Sequence, residues 1–129
     1  MTAQTDHSEA KATRTCISVD AMGGDEGPAA VVAGCSLSAT LNDDISFILH
    51  GDEAQLTPLI ARRKDLSGRC EVRHAADVVT MDDKPSQVVR TGKETSMWSA
   101  IESVRSGEAS VAVSCGNTGA LMALSMIRL

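Results

Sequence analysis

VAVSCGNTGALMAL, residues 111–124, is the stretch that decides the fold. Its first five residues are small or β-branched and predict a short buried strand. The turn from Gly116 to Gly119 then leads into an apolar helical run. A helix that starts at such a turn has amide N–H groups without intrahelical partners, and its dipole places partial positive charge there. The stretch therefore predicts a strand, a glycine turn and a helix start that can hold an oxyanion.

The residues of this turn have two interpretations. Gly116 and Gly119 allow the backbone to approach a ligand closely, while Ser114, Asn117 and Thr118 add short polar side chains. Alternatively, Asn117 or Thr118 only caps the helix. Spacing alone favours neither interpretation.

Composition limits the class of protein. A chain of 129 residues is long enough for one domain or a piece of one. With 43% hydrophobic residues but one Phe, one Trp and no Tyr, the core must consist of aliphatic layers, which favours an α/β architecture. The net charge of −5 and the lack of aromatic residues argue against nucleic-acid binding.

Cysteine spacing and hydropathy indicate a cytoplasmic protein. No pair of cysteines has C-x-x-C spacing, which predicts free, mostly buried thiols and neither a disulfide nor a metal site. The cysteines are Cys16, Cys35, Cys70 and Cys115. No apolar run approaches the roughly 20 residues that cross a bilayer, and the N-terminus lacks the apolar core of a signal peptide.

Strands and helices alternate along the chain after a polar segment, residues 1–13, that we expect to be a disordered tail. The predicted strands are Thr15–Asp20, Ile45–Leu49, Arg69–His74 and residues 111–115. The predicted helices are Ala29–Leu41, Glu53–Lys64, Pro85–Arg90, Thr95–Ser106 and Ala120–Leu129. This alternation predicts a parallel sheet with helices on both faces and ligands beyond the carboxyl ends of its strands. The last helix has no stop signal, which suggests a truncated chain.

A second glycine loop, Met22 to Gly27, follows the first predicted strand, so it is expected to meet the Gly116–Gly119 turn at one edge of the sheet. The loop fits the dinucleotide pattern G-x-G-x-x-G poorly, because Met22 stands where the first glycine belongs. The acidic residue expected at the end of the second strand is also missing. An NAD-dependent dehydrogenase of related fold is therefore the weaker alternative, and binding of NAD or a metal would identify it.

Three segments together carry a family resemblance. They are DAMGGD at residues 20–25 with Pro28, KPS at residues 84–86, and SCGNTGALM at residues 114–122. In this order and at these separations they resemble the PlsX phosphate acyltransferases. The resemblance covers residues 15–129 and implies the N-terminal part of a single α/β/α domain, residues 14–129, similar to isocitrate dehydrogenase and phosphotransacetylase.

The resemblance also implies a function. Enzymes of this family form acyl phosphate from inorganic phosphate and fatty acyl-[acyl carrier protein], in the synthesis of phosphatidic acid, and use no cofactor. It implies a cytoplasmic homodimer that associates peripherally with membranes and a downstream glycerol-3-phosphate acyltransferase. The alternative is a non-catalytic fragment that retains at most phosphate binding.

Site residues follow from matching the three segments position by position. Lys84 and Asn117 are the expected catalytic residues. The expected substrate and phosphate ligands are Asp20, Gly23, Gly24, Asp25, Ser86, Ser114, Gly116, Thr118 and Gly119. Because carboxylates repel phosphate, we expect Asp20 and Asp25 to orient loop amides and Lys84. No metal is expected.

Other polar residues have functional and structural interpretations side by side. Cys115 could accept an acyl group, but buried structural thiols are commoner. His50 and His74 could shuttle protons or simply end strands. The charged stretch Arg62 to Lys64, with Arg69 and Arg73, could meet an acidic carrier protein or be only solvated. Met97 and Trp98 are expected in the core.

Overall fold

Four parallel strands form the centre of the computed structural model, which describes residues 14–129. In chain order the strands are β1 (Thr15–Asp20), β2 (Ile45–Gly51), β3 (Cys70–His74) and β4 (Val111–Ser114). Their order across the sheet is β3-β2-β1-β4. The predicted α/β class with a parallel sheet is confirmed. The predicted tail, residues 1–13, lies outside the described residues.

Within residues 14–129, five helices connect or follow the strands. They are α1 (Gly27–Leu41), α2 (Glu53–Ala61), α3 (Pro85–Thr91), α4 (Ser96–Arg105) and α5 (Thr118–Arg128). The prediction that α2 continues to Lys64 is wrong: the helix ends at Ala61, and a 3₁₀ turn follows at Lys64–Leu66. This turn buries Leu66 in the core, which a longer straight helix would not do.

The two faces of the sheet differ in chemistry. One face carries Val19, Phe47 and Leu49, which pack against apolar side chains of α1 and α2. Side chains alternate between faces along a strand, so Ser18, Asp20 and His50 point to the opposite face, where α4 lies. All three are buried. A second apolar cluster lies beyond this polar face, among α3, α4 and α5, and contains the predicted core residues Met97 and Trp98.

A polar network joins α4 to the sheet through His50. The Ser18 hydroxyl donates to the Ala100 carbonyl, at 2.7 Å, so its oxygen is left to accept from Nε2 of His50, at 2.9 Å. Nδ1 of His50 lies 2.6 Å from the Ser99 hydroxyl. The Ser18 geometry assigns a proton to Nε2, and in the neutral imidazole Nδ1 then accepts from Ser99. Ser103 of α4 also approaches Nε2, at 3.3 Å.

Strand β4 is an edge of the described sheet. It pairs with β1 on one side, and Val19 lies beside Val113 on the face that α1 covers. Val111 and Val113 are nevertheless 43% and 45% exposed, because α1 packs over β1 and β2 and does not reach β4. This edge is thus apolar and open to solvent among residues 14–129.

The buried His50 makes stability depend on pH. Burial, and secondly the Arg73 charge, lower its pKa from 6.5 to about 4, while Glu108 acts in the opposite direction. Below pH 6.5 the unfolded chain binds a proton that the folded chain does not, so the free energy of unfolding decreases as the pH falls. We expect it to decrease by about 2 kcal/mol between pH 7.5 and pH 5. Urea unfolding at both pH values measures this.

The control for this prediction is His50→Gln, which keeps polar partners for the serines but does not titrate. Its free energy of unfolding should change much less over the same interval. An equal change in both proteins would show that His50 is not the source of the effect.

Candidate functional site

Asp20 ends β1, and its carboxylate holds the loop that follows. Its Oδ1 accepts hydrogen bonds from the amides of Met22 and Gly23, at 3.2 and 3.1 Å. The side chain is only 2% exposed. The sequence predicted that Asp20 orients loop amides, and these hydrogen bonds have that geometry.

The same carboxylate reaches the loop after β4. The Ser114 hydroxyl donates to Oδ2 of Asp20, at 2.8 Å, and accepts from the amide of Gly116, at 3.0 Å. The two glycine loops touch here: a methyl group on Gly23 would lie 2.6 Å from Oδ2 of Asp20 and 3.1 Å from the Gly116 nitrogen. The two loops therefore meet at the carboxyl end of β1 and β4, as their positions in the sequence predicted.

The middle segment, residues 84–86, lies near the two glycine loops because it contacts the start of α5. A methyl group on Gly119 would lie 3.0 Å from Cγ of Pro85. Nδ2 of Asn117 donates to the carbonyls of Asp83, at 2.8 Å, and Thr80, at 3.1 Å. All three segments that carried the family resemblance are thus gathered around the start of α5.

Asn117 is the cap of α5. Its Oδ1 accepts from the amide of Ala120, at 3.1 Å, so the capping interpretation holds for Asn117. Thr118 and Gly119 are the next residues, and within residues 14–129 their amides have no hydrogen-bond partner. Capping and anion binding are therefore compatible here, because the cap uses one amide and leaves two others free.

Four of the predicted site residues stand apart from these contacts. The side chains of Asp25, Lys84, Ser86 and Thr118 are exposed, and none forms a hydrogen bond or ion pair with another described residue. A methyl group on Gly24 would lie 3.0 Å from Cβ and 3.1 Å from the carbonyl oxygen of Cys115, and the positive φ of 98° suits glycine. The charged side chains around the start of α5 are free to meet a ligand.

A cavity of about 560 Å³ opens beside the two glycine loops. Its floor is the apolar face of the sheet, and one wall is α1. Apolar lining residues include Ile17, Val19, Val31, Phe47 and Val113, and the polar ones at the loop end are Asp20, Asp25, Glu26 and Ser114. An apolar space thus adjoins a group of backbone amides.

The alternative site residues are now located. His50 is buried in the α4 network and does not reach the sheet rim, whereas His74 is exposed and accepts a hydrogen bond from the amide of Glu53. Arg73 forms ion pairs with Glu71 and Glu108, so it is not a free basic group.

All four cysteines are free thiols. Burial raises the pKa of Cys35 to about 11 and that of Cys70 to about 12, so neither is a ready nucleophile. The prediction that the thiols are mostly buried is wrong: only Cys35 is buried, Cys16 and Cys70 are half-buried, and Cys115, just after the edge strand β4, is exposed.

Sequence reasoning missed Ser96. The first residue of α4, it is fully buried, and its hydroxyl donates to Oδ1 of Asp20, at 2.5 Å. The signal that could have found it is a second stripe on α4, Ser96, Ala100 and Ser103, at the helical spacing i, i+4 and i+7. The predicted helix was assigned a core face only from its larger apolar residues.

Comparison with known proteins places the chain in a family. A family model described as fatty acid synthesis protein matches residues 15–129. The chain belongs to the fatty acid synthesis protein family. Within this family, it is similar to enzymes that are named phosphate acyltransferase. The resemblance that the three segments carried is therefore confirmed.

Three relatives show the extent of the similarity. The chain is 73% identical over 129 residues to the phosphate acyltransferase of Roseobacter denitrificans and 70% identical over 129 residues to that of Ruegeria sp.. It is 74% identical over 118 residues to that of Cereibacter sphaeroides strain ATCC 17025. These matches cover 36%, 34% and 32% of the relatives, so the chain spans about a third of their length. No helix within residues 14–129 has the length and apolar character needed to cross a membrane.

The contact between the two glycine loops can be tested with Gly23→Ala. The added methyl group would meet the Asp20 carboxylate at 2.6 Å, so we expect the free energy of unfolding to fall by about 1–3 kcal/mol. The matched control is Gly34→Ala in α1, where the new methyl group meets nothing within 4 Å and the helix gains about 0.5–1 kcal/mol. Urea unfolding compares the two. Equal stability of both variants would mean that Gly23 does not pack against Asp20, Ser114 and Gly116.

Proposed function

We propose that this chain supplies the phosphate-binding part of an enzyme that transfers a fatty acyl group from acyl carrier protein to inorganic phosphate. The product is an acyl phosphate for phospholipid synthesis. The observation that carries the proposal is that the three segments of the family resemblance meet at the start of α5. There the amides of Thr118 and Gly119 have no hydrogen-bond partner among the described residues.

The amino end of α5 suits a phosphate. Free amides at a helix start donate hydrogen bonds to anions, and the helix dipole adds partial positive charge. Gly119 has no side chain, which allows Pro85 of the middle segment to pack against the start of the helix. Lys84, exposed and one residue away from the Pro85 contact with Gly119, can add a full positive charge to the same ligand.

The reaction makes modest demands on the protein. An oxygen of hydrogen phosphate attacks the thioester carbonyl carbon, the new C–O bond forms and the C–S bond breaks. The carrier leaves as a thiol, with the proton that the phosphate brought. Such a transfer needs placement of the reactants and stabilisation of the oxyanion, both of which backbone amides provide.

The predicted catalytic pair divides into two roles in this proposal. Lys84 binds and neutralises the phosphate. The side chain of Asn117 is engaged by Ala120, Asp83 and Thr80, so it positions the segment before Lys84 against α5. Asp20 holds the loops and stays away from the anion, and exposed Asp25 is a solvated carboxylate at the rim.

The apolar cavity beside the loops supports a fatty substrate. Its position allows a hydrocarbon chain to lie along the sheet while its carboxyl end reaches the loop amides. We further propose that acyl carrier protein presents this chain, and that the complete enzyme is a cytoplasmic homodimer that associates with the membrane surface. The relatives' name, phosphate acyltransferase, supports the reaction class.

The experiment has two arms. In the first, the chain is titrated with inorganic phosphate by isothermal titration calorimetry. We expect Lys84→Ala to weaken binding about tenfold, because a hydrogen bond from a charged donor is lost. In the second, the chain is incubated with acyl carrier protein thioester and phosphate, and acyl phosphate and free carrier thiol are measured.

Lys93→Ala is the control for the first arm, because Lys93 is an equally exposed lysine that lies outside the three segments. It should bind phosphate as the wild type does. Equal phosphate affinity of the Lys84 variant and the wild type would remove Lys84 from the site. Phosphate binding without turnover would indicate the non-catalytic fragment, and binding of NAD in place of phosphate would indicate the dehydrogenase.

A further inference from the structure

Ser96 connects α4 to the proposed phosphate site. Its hydroxyl is fully buried at the first turn of the helix and donates to Oδ1 of Asp20, at 2.5 Å. This is the shortest of the four hydrogen bonds that the Asp20 carboxylate accepts. The other donors within residues 14–129 are two loop amides and Ser114 at the end of β4, so among them Ser96 alone comes from a helix.

Asp20 depends on these donors because it is a buried carboxylate without an ion-pair partner in the described part of the chain. A buried charge is tolerated only where hydrogen bonds replace its water. The shortest of the hydrogen bonds that replace this water comes from Ser96. The amino end of α4 also places partial positive charge next to the Asp20 carboxylate. The orientation of the carboxylate therefore depends on the position of α4.

The contacts continue from Asp20 to the amides around the start of α5. Oδ2 of Asp20 fixes the Ser114 hydroxyl, which in turn accepts the amide of Gly116. Oδ1 fixes the amide of Gly23, which lies against Gly116. Without the Ser96 hydroxyl, Oδ1 keeps only the two longer bonds from Met22 and Gly23, so the carboxylate is held less firmly and only by the loops and the end of β4.

We propose that Ser96 is a positioning residue for the phosphate site, acting through Asp20 and Ser114 on the two glycine loops that adjoin the start of α5. The inference rests on the proposed function in one respect: the free amides of Thr118 and Gly119, just after these loops, are taken to hold phosphate. The positioning itself is a property of the free protein and can be measured without a ligand.

The chain offers a matched control on the same helix. Ser103 is also a buried serine of α4, but its hydroxyl faces His50 and has no contact with Asp20. Ser96→Ala and Ser103→Ala therefore remove the same group from the same helix, and both should lower the urea midpoint. Only the first should affect the loops if the inference holds.

The experiment records amide ¹H–¹⁵N spectra of the wild type and both alanine variants, and then titrates each with inorganic phosphate. We expect the Gly23 and Gly116 signals to move in Ser96→Ala and to stay in place in Ser103→Ala. We expect phosphate to bind about five- to tenfold more weakly to Ser96→Ala and with wild-type affinity to Ser103→Ala. Ser96→Thr, which retains the hydroxyl, should restore both properties.

The outcomes separate this inference from the proposed function. If Ser96→Ala leaves both glycine signals and the phosphate affinity as in Ser103→Ala, Ser96 does not position the site. If the wild type binds no phosphate, the proposed function fails, while the glycine signals still decide whether Ser96 orders the loops. Should Ser96→Ala not fold, Ser96→Cys keeps the shape of the side chain with a much weaker donor and gives the same comparison.

Discussion

The Asp20 carboxylate joins three separate parts of this chain. It accepts hydrogen bonds from the loop after β1, from Ser114 at the end of β4 and from Ser96 at the start of α4. A buried carboxylate that lost these donors would be strongly unfavourable, so the three parts are held together by the requirement to satisfy one charge. The arrangement of the glycine loops at the sheet edge depends on this requirement.

The Asp20 carboxylate can be buried because the sheet has one apolar face and one polar face, and Asp20 lies on the polar one. Val19, Phe47 and Leu49 pack with α1 and α2 in the usual way, whereas Ser18, Asp20 and His50 face α4. Helix α4 meets them with serines and directs its larger side chains outward, to α3 and α5. The polar face favours one register of α4 on the sheet, because Ser96 must meet Asp20 while Ser99 meets His50.

The sequence predicted the alternation of strands and helices because that information is local: β-branched runs, glycine turns and helical spacing are read within about ten residues. It also placed both glycine loops at one edge, since parallel strands end together. It did not identify Ser96, whose importance arises only when α4 packs against β1, far away in the chain. Nor could it foresee that the side chain of Asn117 is fully engaged, because its partners Thr80 and Asp83 lie in a loop without a regular pattern.

The open edge of β4 has a consequence for the behaviour of this chain in concentrated solution. The outer backbone groups of β4 pair with no strand within residues 14–129, and two valines beside them are exposed. Such an edge is a template on which another polypeptide can add a strand, and no lysine or proline of β4 opposes this. Aggregation through strand addition is therefore the characteristic hazard of the isolated polypeptide.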